Sequence, residues 1–188
     1  MFEALVVSSV VSWLAMLGLA MSIRRVYDDL RSYMNDVDGR DAHGPILGRI
    51  SPQMDVLDTT PQGRPTVCWF MAVGCAPCRA ALPVVNALAE EYDGFNHVVS
   101  CVGREFSVLA FQPQFHDEIV VQADPQRGNA KRWEVHFTPF VVVLDGDRYV
   151  RFKLARISHD KMRLALDGIE AQARAEQADS TAPPMVEA

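Results

Sequence analysis

Two hydrophobic patterns divide the chain. Residues 4–23 run for 20 positions without a charge, between Glu3 and Arg24-Arg25. At roughly 1.5 Å of rise per residue such a helix spans about 30 Å, the thickness of a bilayer's hydrocarbon core. A cleavable leader would carry a basic start and a shorter apolar stretch. Here only Glu3 brings a charge ahead of the run, so residues 1–25 are predicted to form a retained transmembrane anchor. Val26, Tyr27, Leu30 and Met34 then recur at helical spacing among charges. They predict a juxtamembrane helix on the membrane surface, followed by a linker, the two together covering residues 26–44.

Between 45 and 175 the pattern alternates between two periods. Residues 65–73 form a continuous apolar run, as expected of a strand buried on both faces. Residues 75–92 repeat as a helix, with Leu82, Val85, Leu88, Ala89 and Tyr92 on one face. A second buried strand follows at 98–102, then a helix from 105 to 115 that Pro113 interrupts. Residues 119–122 predict a short strand and 127–133 a short helix. Strands at 140–144 and 149–154 are joined at Asp145-Gly146-Asp147, a hairpin signal, and a helix from 159 to about 173 closes the domain. This order predicts an α/β fold, a mixed central sheet with helices on both faces. Residues 176–188 hold Ser180, Thr181 and the pair Pro183-Pro184 without periodicity, and predict a disordered tail.

At 188 residues the chain holds one domain of ordinary size plus these appendages. Lys+Arg of 18 against Asp+Glu of 24 leaves a net charge of -6, which argues against a nucleic-acid partner. Four cysteines are too few for a disulfide-scaffolded mini-protein, but two of them stand as Cys75-Ala76-Pro77-Cys78 where a buried strand meets a helix. Free N–H groups and the dipole at a helix N-terminus favour a Cys75 thiolate, lowering its pKa below that of an ordinary thiol. Cys78, one turn on, is placed to attack a mixed disulfide formed at Cys75. Pro77 removes a donor that the first turn leaves unpaired anyway. Half a zinc site is the competing reading, yet no second C-x-x-C or H-x3-H completes it. Cys68 and Cys101, each in a predicted buried strand, read as core thiols, with a second disulfide open if their side chains face each other.

With these features the sequence resembles the thioredoxin-like family. Pro83 falls five residues after Cys78, where the family's helix carries a kinking proline. Thr138-Pro139-Phe140, followed by an apolar strand and Asp-Gly-Asp-Arg, matches the family's cis-proline loop and terminal hairpin. The resemblance implies that Pro139 packs against the Cys75–Cys78 disulfide and that the Thr138 backbone pairs with substrate peptide. Within the family the chain is similar to the TlpA and ResA kind of anchored reductase. It looks most like the MauD type, the membrane-anchored accessory proteins of methylamine dehydrogenase maturation. The cues are the anchor with its arginine flank, Gly63-Arg64-Pro65, G-C-A-P-C-R-A-A-L-P at 74–83, and T-P-F-V-V-V-L-D-G-D-R-Y-V-R-F-K at 138–153. Two positions depart from the family. Gly74 replaces a docking tryptophan, and Trp69 stands where a buried aspartate assists the second cysteine. The resemblance then implies a slow resolving step at Cys78 and a narrow range of partners.

The expected function is a membrane-anchored thiol–disulfide oxidoreductase. It would reduce, form or isomerise disulfides in a cysteine-containing protein during that protein's maturation. Cys75 and Cys78 are the catalytic residues, and Ala76, Pro77, Thr138 and Pro139 position the substrate. The redox-active disulfide is the only cofactor expected, with no metal. A membrane redox partner and the lipid bilayer, through residues 4–23, complete the expected partners. The arginines at 24, 25 and 31 put the domain in the cytoplasm by the positive-inside rule, whereas disulfide chemistry and the resemblance imply the extracytoplasmic side. A non-catalytic assembly subunit and a copper-delivery protein using His136 are the alternatives. Arg79, directly after Cys78, reads as an exposed helix charge rather than a partner of the thiolate. Trp133 and Phe137 flank the Thr138-Pro139 loop, with a role in lining a groove for an apolar peptide and a role in the core equally open.

Overall fold

The computed structural model describes residues 43–180, together with residues 16, 18 and 21–24. Most of the predicted anchor and all of the juxtamembrane helix lie outside the described residues, as do residues 181–188. Residues 16, 18 and 21–24 are helical, and Ser22 Oγ donates to the Gly18 carbonyl at 2.9 Å. Among the described residues no helix is long and apolar enough to cross a membrane. The chain divides into two units, Met1–Gly39 and Arg40–Ala188, and the rest of the description concerns the second.

In chain order that unit contains α1 (Asp55–Asp58), β1 (Thr66–Ala72), α2 (Ala76–Glu91), β2 (Asn96–Val102) and α3 (Glu105–Phe111). A single 3-10 turn (Gln112–Gln114) follows, then β3 (Ile119–Ala123), α4 (Gly128–Arg132), β4 (Phe140–Leu144), β5 (Val150–Leu154) and α5 (His159–Ser180). Among the described residues five strands form one sheet in the order β3-β2-β1-β4-β5. β2 lies parallel to both β1 and β3, while β4 lies antiparallel to both β1 and β5.

β1 is central, which explains why its sequence shows no alternation: every residue from Thr66 to Met71 is buried. Its pleat still sorts the side chains. Val67, Trp69 and Met71 join one core with Leu82, Val85 and Leu88 of α2, Val108 and Phe111 of α3, and Met162 and Leu166 of α5. Cys68 and Phe70 face the opposite core, with Val56 and Leu57 of α1, Ala130 of α4, and Trp133. Helices therefore cover both faces. Each fully buried leucine or valine contributes roughly 1.5–3 kcal/mol, so the apolar stripe of α2 alone anchors it firmly to the sheet. Cys68 and Cys101 are buried and free, on opposite faces of neighbouring strands, so no second disulfide joins them.

Departures from the predicted boundaries have local causes. β2 starts at Asn96, two residues early, because polar Asn96 and His97 are buried with partners. Asn96 Nδ2 donates to the Pro61 carbonyl at 2.9 Å and lies 3.2 Å from Thr66 Oγ1. α3 stops at Phe111, and Pro113 sits in the 3-10 turn that follows. α5 runs to Ser180, into the predicted tail, since its Ala, Gln, Glu and Arg are good helix formers that need no apolar face. The short α1 and a bridge between Ile50 and Tyr149 carry no periodic signal in the sequence.

His97 Nε2 lies 3.1 Å from the Tyr92 carbonyl, which accepts its proton, and burial lowers the imidazole's pKa from 6.5 to about 4. Between those values the unfolded chain binds a proton that the folded one refuses, so stability falls as pH drops through that window. From pH 7 to pH 5 this residue should remove about 2 kcal/mol. Urea denaturation at both pH values should show His97→Gln losing that share of the acid sensitivity. An unchanged pH dependence would refute the assignment.

Candidate functional site

The junction of β1 and α2 sets the geometry of the cysteines. Beyond β1 the pairing continues for one bond, Val73 N–H to the Val102 carbonyl at 3.0 Å, and then the chain turns at Gly74. Gly74 has φ +82, in the left-handed region where a side chain is disfavoured, although a Cβ there would meet nothing within 4 Å. The constraint is conformational, and it explains a glycine at this position. Cys75 becomes the N-cap of α2: its Sγ accepts the Cys78 N–H at 3.1 Å, a bond that serine or aspartate commonly accepts at other helix starts. Ala76 and Pro77 follow on the exposed first turn, and Pro77 spends no needed donor. Cys75 and Cys78 form a disulfide with Cα atoms 5.2 Å apart.

The two sulfurs differ in their surroundings. Cys75 is partly exposed, whereas Cys78 is wholly buried in the core between β1 and α2. Across from Cys75 lies the loop before β4, where the Thr138–Pro139 peptide is cis. Cys75 Sγ lies 3.7 Å from the Thr138 carbonyl oxygen and 3.7 Å from Thr138 Oγ1, whose hydroxyl donates toward it. A thiolate on Cys75 would thus meet a backbone N–H, a hydroxyl and the N-terminal end of a helix, all favouring negative charge. Among the described residues neither of these two donors reaches Cys78 Sγ.

A strap preceding α1 braces the loop. Gly44, at φ +80, lies so close to the Phe140 ring that a Cβ would sit 2.7 Å from it. The Gly44 N–H donates to the Glu134 carbonyl at 2.9 Å, and buried Lys153 donates Nζ to the His43 carbonyl at 2.9 Å. The His43 ring stacks edge-on against His136, at 5.2 Å, and Phe137, at 4.9 Å. His136 is exposed, and among the described residues no group of three His, Cys, Asp or Glu converges as a metal site would require. Trp133 is fully buried and belongs to the core with Phe70, while Phe137 is half-buried beside Phe140. Arg79 is exposed. The strap was not foreseen in the sequence, where Gly44-Pro45 reads only as the end of a linker.

No family model matches the chain. A thioredoxin-like protein of Haemophilus influenzae is 30% identical over 88 residues, 47% of this chain and 53% of that protein. The chain thus spans about half the length of the curated relative it matches. Among solved structures, a Chlorobium tepidum protein assigned as the thiol:disulfide interchange protein DsbE aligns with a TM-score of 0.54 at 20% identity, over 70% of this chain and 95% of its own. A secreted Mycobacterium tuberculosis disulfide oxidoreductase, homologous to E. coli DsbE, aligns with a TM-score of 0.51 at 19% identity, over 57% and 83%. The fold is thioredoxin-like. In this fold the Cys75–Cys78 disulfide occupies the end of the central strand, facing the cis-proline loop.

Reduction followed by iodoacetamide should label Cys75 and spare Cys68, Cys78 and Cys101, which are buried. Thr138→Val should slow that labelling roughly threefold at neutral pH, because one donor to the thiolate is lost. Peptide mass spectrometry and the alkylation rate check both statements, and equal labelling of Cys78 would contradict the described asymmetry.

Proposed function

We propose that the chain is a thiol–disulfide oxidoreductase acting on a cysteine-containing protein, with the cysteine pair itself as the redox group. The observation that carries this reading is a disulfide whose outer sulfur caps a helix and faces the Thr138 carbonyl. In the reducing direction the Cys75 thiolate attacks a partner disulfide, forming a Cys75–partner bond and releasing the partner's other sulfur as thiolate. The Cys78 thiolate then attacks Cys75 Sγ, closing the internal disulfide and releasing the second partner thiolate. The oxidising direction is the same sequence reversed. Thr138 and Pro139 line the approach to Cys75, and Ala76 and Pro77 form the exposed rim, so an extended partner segment would lie across these four residues. The disulfide chemistry named for the M. tuberculosis protein supports the same reading.

The more specific part of the proposal is a MauD-like role in the maturation of one partner, with residues 4–23 as a membrane anchor and the domain on the extracytoplasmic side. The uncharged run of 20 residues supports the anchor, and the need of disulfides for an oxidising compartment supports that side. A membrane redox partner would renew the pair.

Cys78→Ala should trap a covalent complex with the partner in the native host, visible on non-reducing gels and lost on adding dithiothreitol. Cys75→Ser should trap nothing. A Cys78→Ala protein that captures no partner, or a Cys75→Ser, Cys78→Ser double variant with full function, would refute the oxidoreductase reading.

A further inference from the structure

Eight large apolar side chains stand exposed among the described residues of the domain, and four of them gather on the strap and the hairpin it pairs with: Ile46, Leu47, Ile50 and Tyr149. Ile46 is 58% exposed and Ile50 66%. A turn closes Ile46 to Arg49, where the Arg49 N–H donates to the Ile46 carbonyl at 3.3 Å. Ile50 then pairs with Tyr149 in an antiparallel bridge, which sets their two side chains on one face. The Arg151 guanidinium lies over the Tyr149 ring at 5.8 Å and so shares that face. The outer edge of β5 is occupied here. The Gly48 N–H donates to the Val150 carbonyl at 2.8 Å, and the Val150 N–H to the Arg49 carbonyl at 2.9 Å. β5 therefore offers no open backbone edge at this point, and the strap presents its side chains. Arg148 pairs with Asp58 at 3.1 Å and Arg151 with Asp145 at 2.6 Å, which leaves apolar area rather than charge as the dominant feature of the patch.

We propose that this patch seats the domain on the surface of the phospholipid bilayer that holds residues 4–23. The inference rests on those residues being an anchor and goes beyond it, by naming the face of the domain that meets the lipid. Nineteen residues, 24–42, separate the uncharged run from the strap. Fully extended they reach no farther than about 70 Å, so the strap is the part of the domain that chain length confines most closely to the bilayer. Such tethering makes the contact intramolecular, and a weak surface affinity is then enough to hold it. Isoleucine and leucine side chains enter the acyl boundary, while tyrosine and arginine suit the headgroup level. The seat has a consequence for the disulfide. Two residues before Ile46 the same strap packs Gly44 on Phe140, and His43 lies against Phe137, beside the Thr138–Pro139 peptide that faces Cys75. Docking through the strap thus holds the rim around Cys75 near the headgroups, within reach of a membrane redox partner.

The test uses the full chain, reconstituted into phosphatidylcholine vesicles with or without doxyl-labelled phosphatidylcholine as quencher. Under non-reducing conditions an environment-sensitive thiol-reactive fluorophore marks a Leu47→Cys variant at that position alone, since Cys75 and Cys78 are joined and Cys68 and Cys101 are buried. A Leu164→Cys variant, at an exposed position of α5, reports the quenching that tethering alone produces. Doxyl lipid should quench the fluorophore at 47 about threefold or more over that at 164. Ile50→Asp, a change at an exposed position, should abolish the excess. Resistance of the chain to carbonate extraction reports the anchor separately. A carbonate-resistant chain with equal quenching at 47 and 164, or with an excess that survives Ile50→Asp, would overturn the seat and leave the anchor standing. Blue-shifted emission at 47 without doxyl quenching would overturn it too, since another protein surface, such as a second copy of the chain, would then cover the patch. A chain released by carbonate would overturn both.

Discussion

The hydrogen bond from the Cys78 N–H to Cys75 Sγ is the interaction on which the site depends. It exists because a helix must start directly after a strand, and the first turn of a helix has N–H groups without partners. A sulfur in the N-cap position answers one of them, and the same placement exposes that sulfur to the helix dipole. One turn later the chain has already entered the core, so the second sulfur is buried by the same packing that holds α2 to the sheet. The chemical difference between two identical side chains three residues apart is thus a consequence of helix geometry. It does not need a specialised residue at either position.

The opposing wall is less economical. The loop ending in Pro139 reaches Cys75 from β4, 63 positions away in sequence. It is held by contacts that also come from afar: Gly44 against Phe140, His43 against Phe137, and Lys153 against the His43 carbonyl. Burying Lys153 is costly unless its ammonium finds partners, so its bond to the strap's backbone stabilises both elements at once. A charged group fixed beneath the loop makes the strap part of the site's scaffold, although none of its side chains touches the disulfide sulfurs.

Legibility in the sequence tracked the range of the interactions. Elements decided by local periodicity, such as β1, α2, β4 and the hairpin, were readable to within a residue or two, because their apolar runs report their own burial. The cysteine pair was readable for the same reason: spacing and the strand–helix junction lie within a few residues. What escaped was set by distant partners. Asn96 and His97 look like loop residues until Pro61, Thr66 and Tyr92 satisfy them, and the start of β2 shifts accordingly. The strap at 43–50 is short and aperiodic, and its role depends on Phe140 and Lys153, about 100 positions later in the chain. The left-handed turn at Gly74 had a signal, the glycine itself, whose conformational meaning emerges once the helix start is fixed at Ala76.

The four cysteines show how strongly the sheet controls reactivity. Cys68 and Cys101 lie on adjacent strands, nearer in sequence than Cys75 is to Thr138, yet the pleat sends them to opposite cores. Burial raises both thiols well above their ordinary range, so neither competes with Cys75 for a partner disulfide. A one-residue change of register would turn every side chain of the strand to the other face, and the central position of β1, paired on both edges, forbids it. The fixed register that hides two thiols also carries Val73 and Gly74 to the strand's end, where the chain turns and Cys75 emerges. Selectivity among the cysteines and placement of the reactive one therefore have a common origin in the pairing of β1 with β2 and β4.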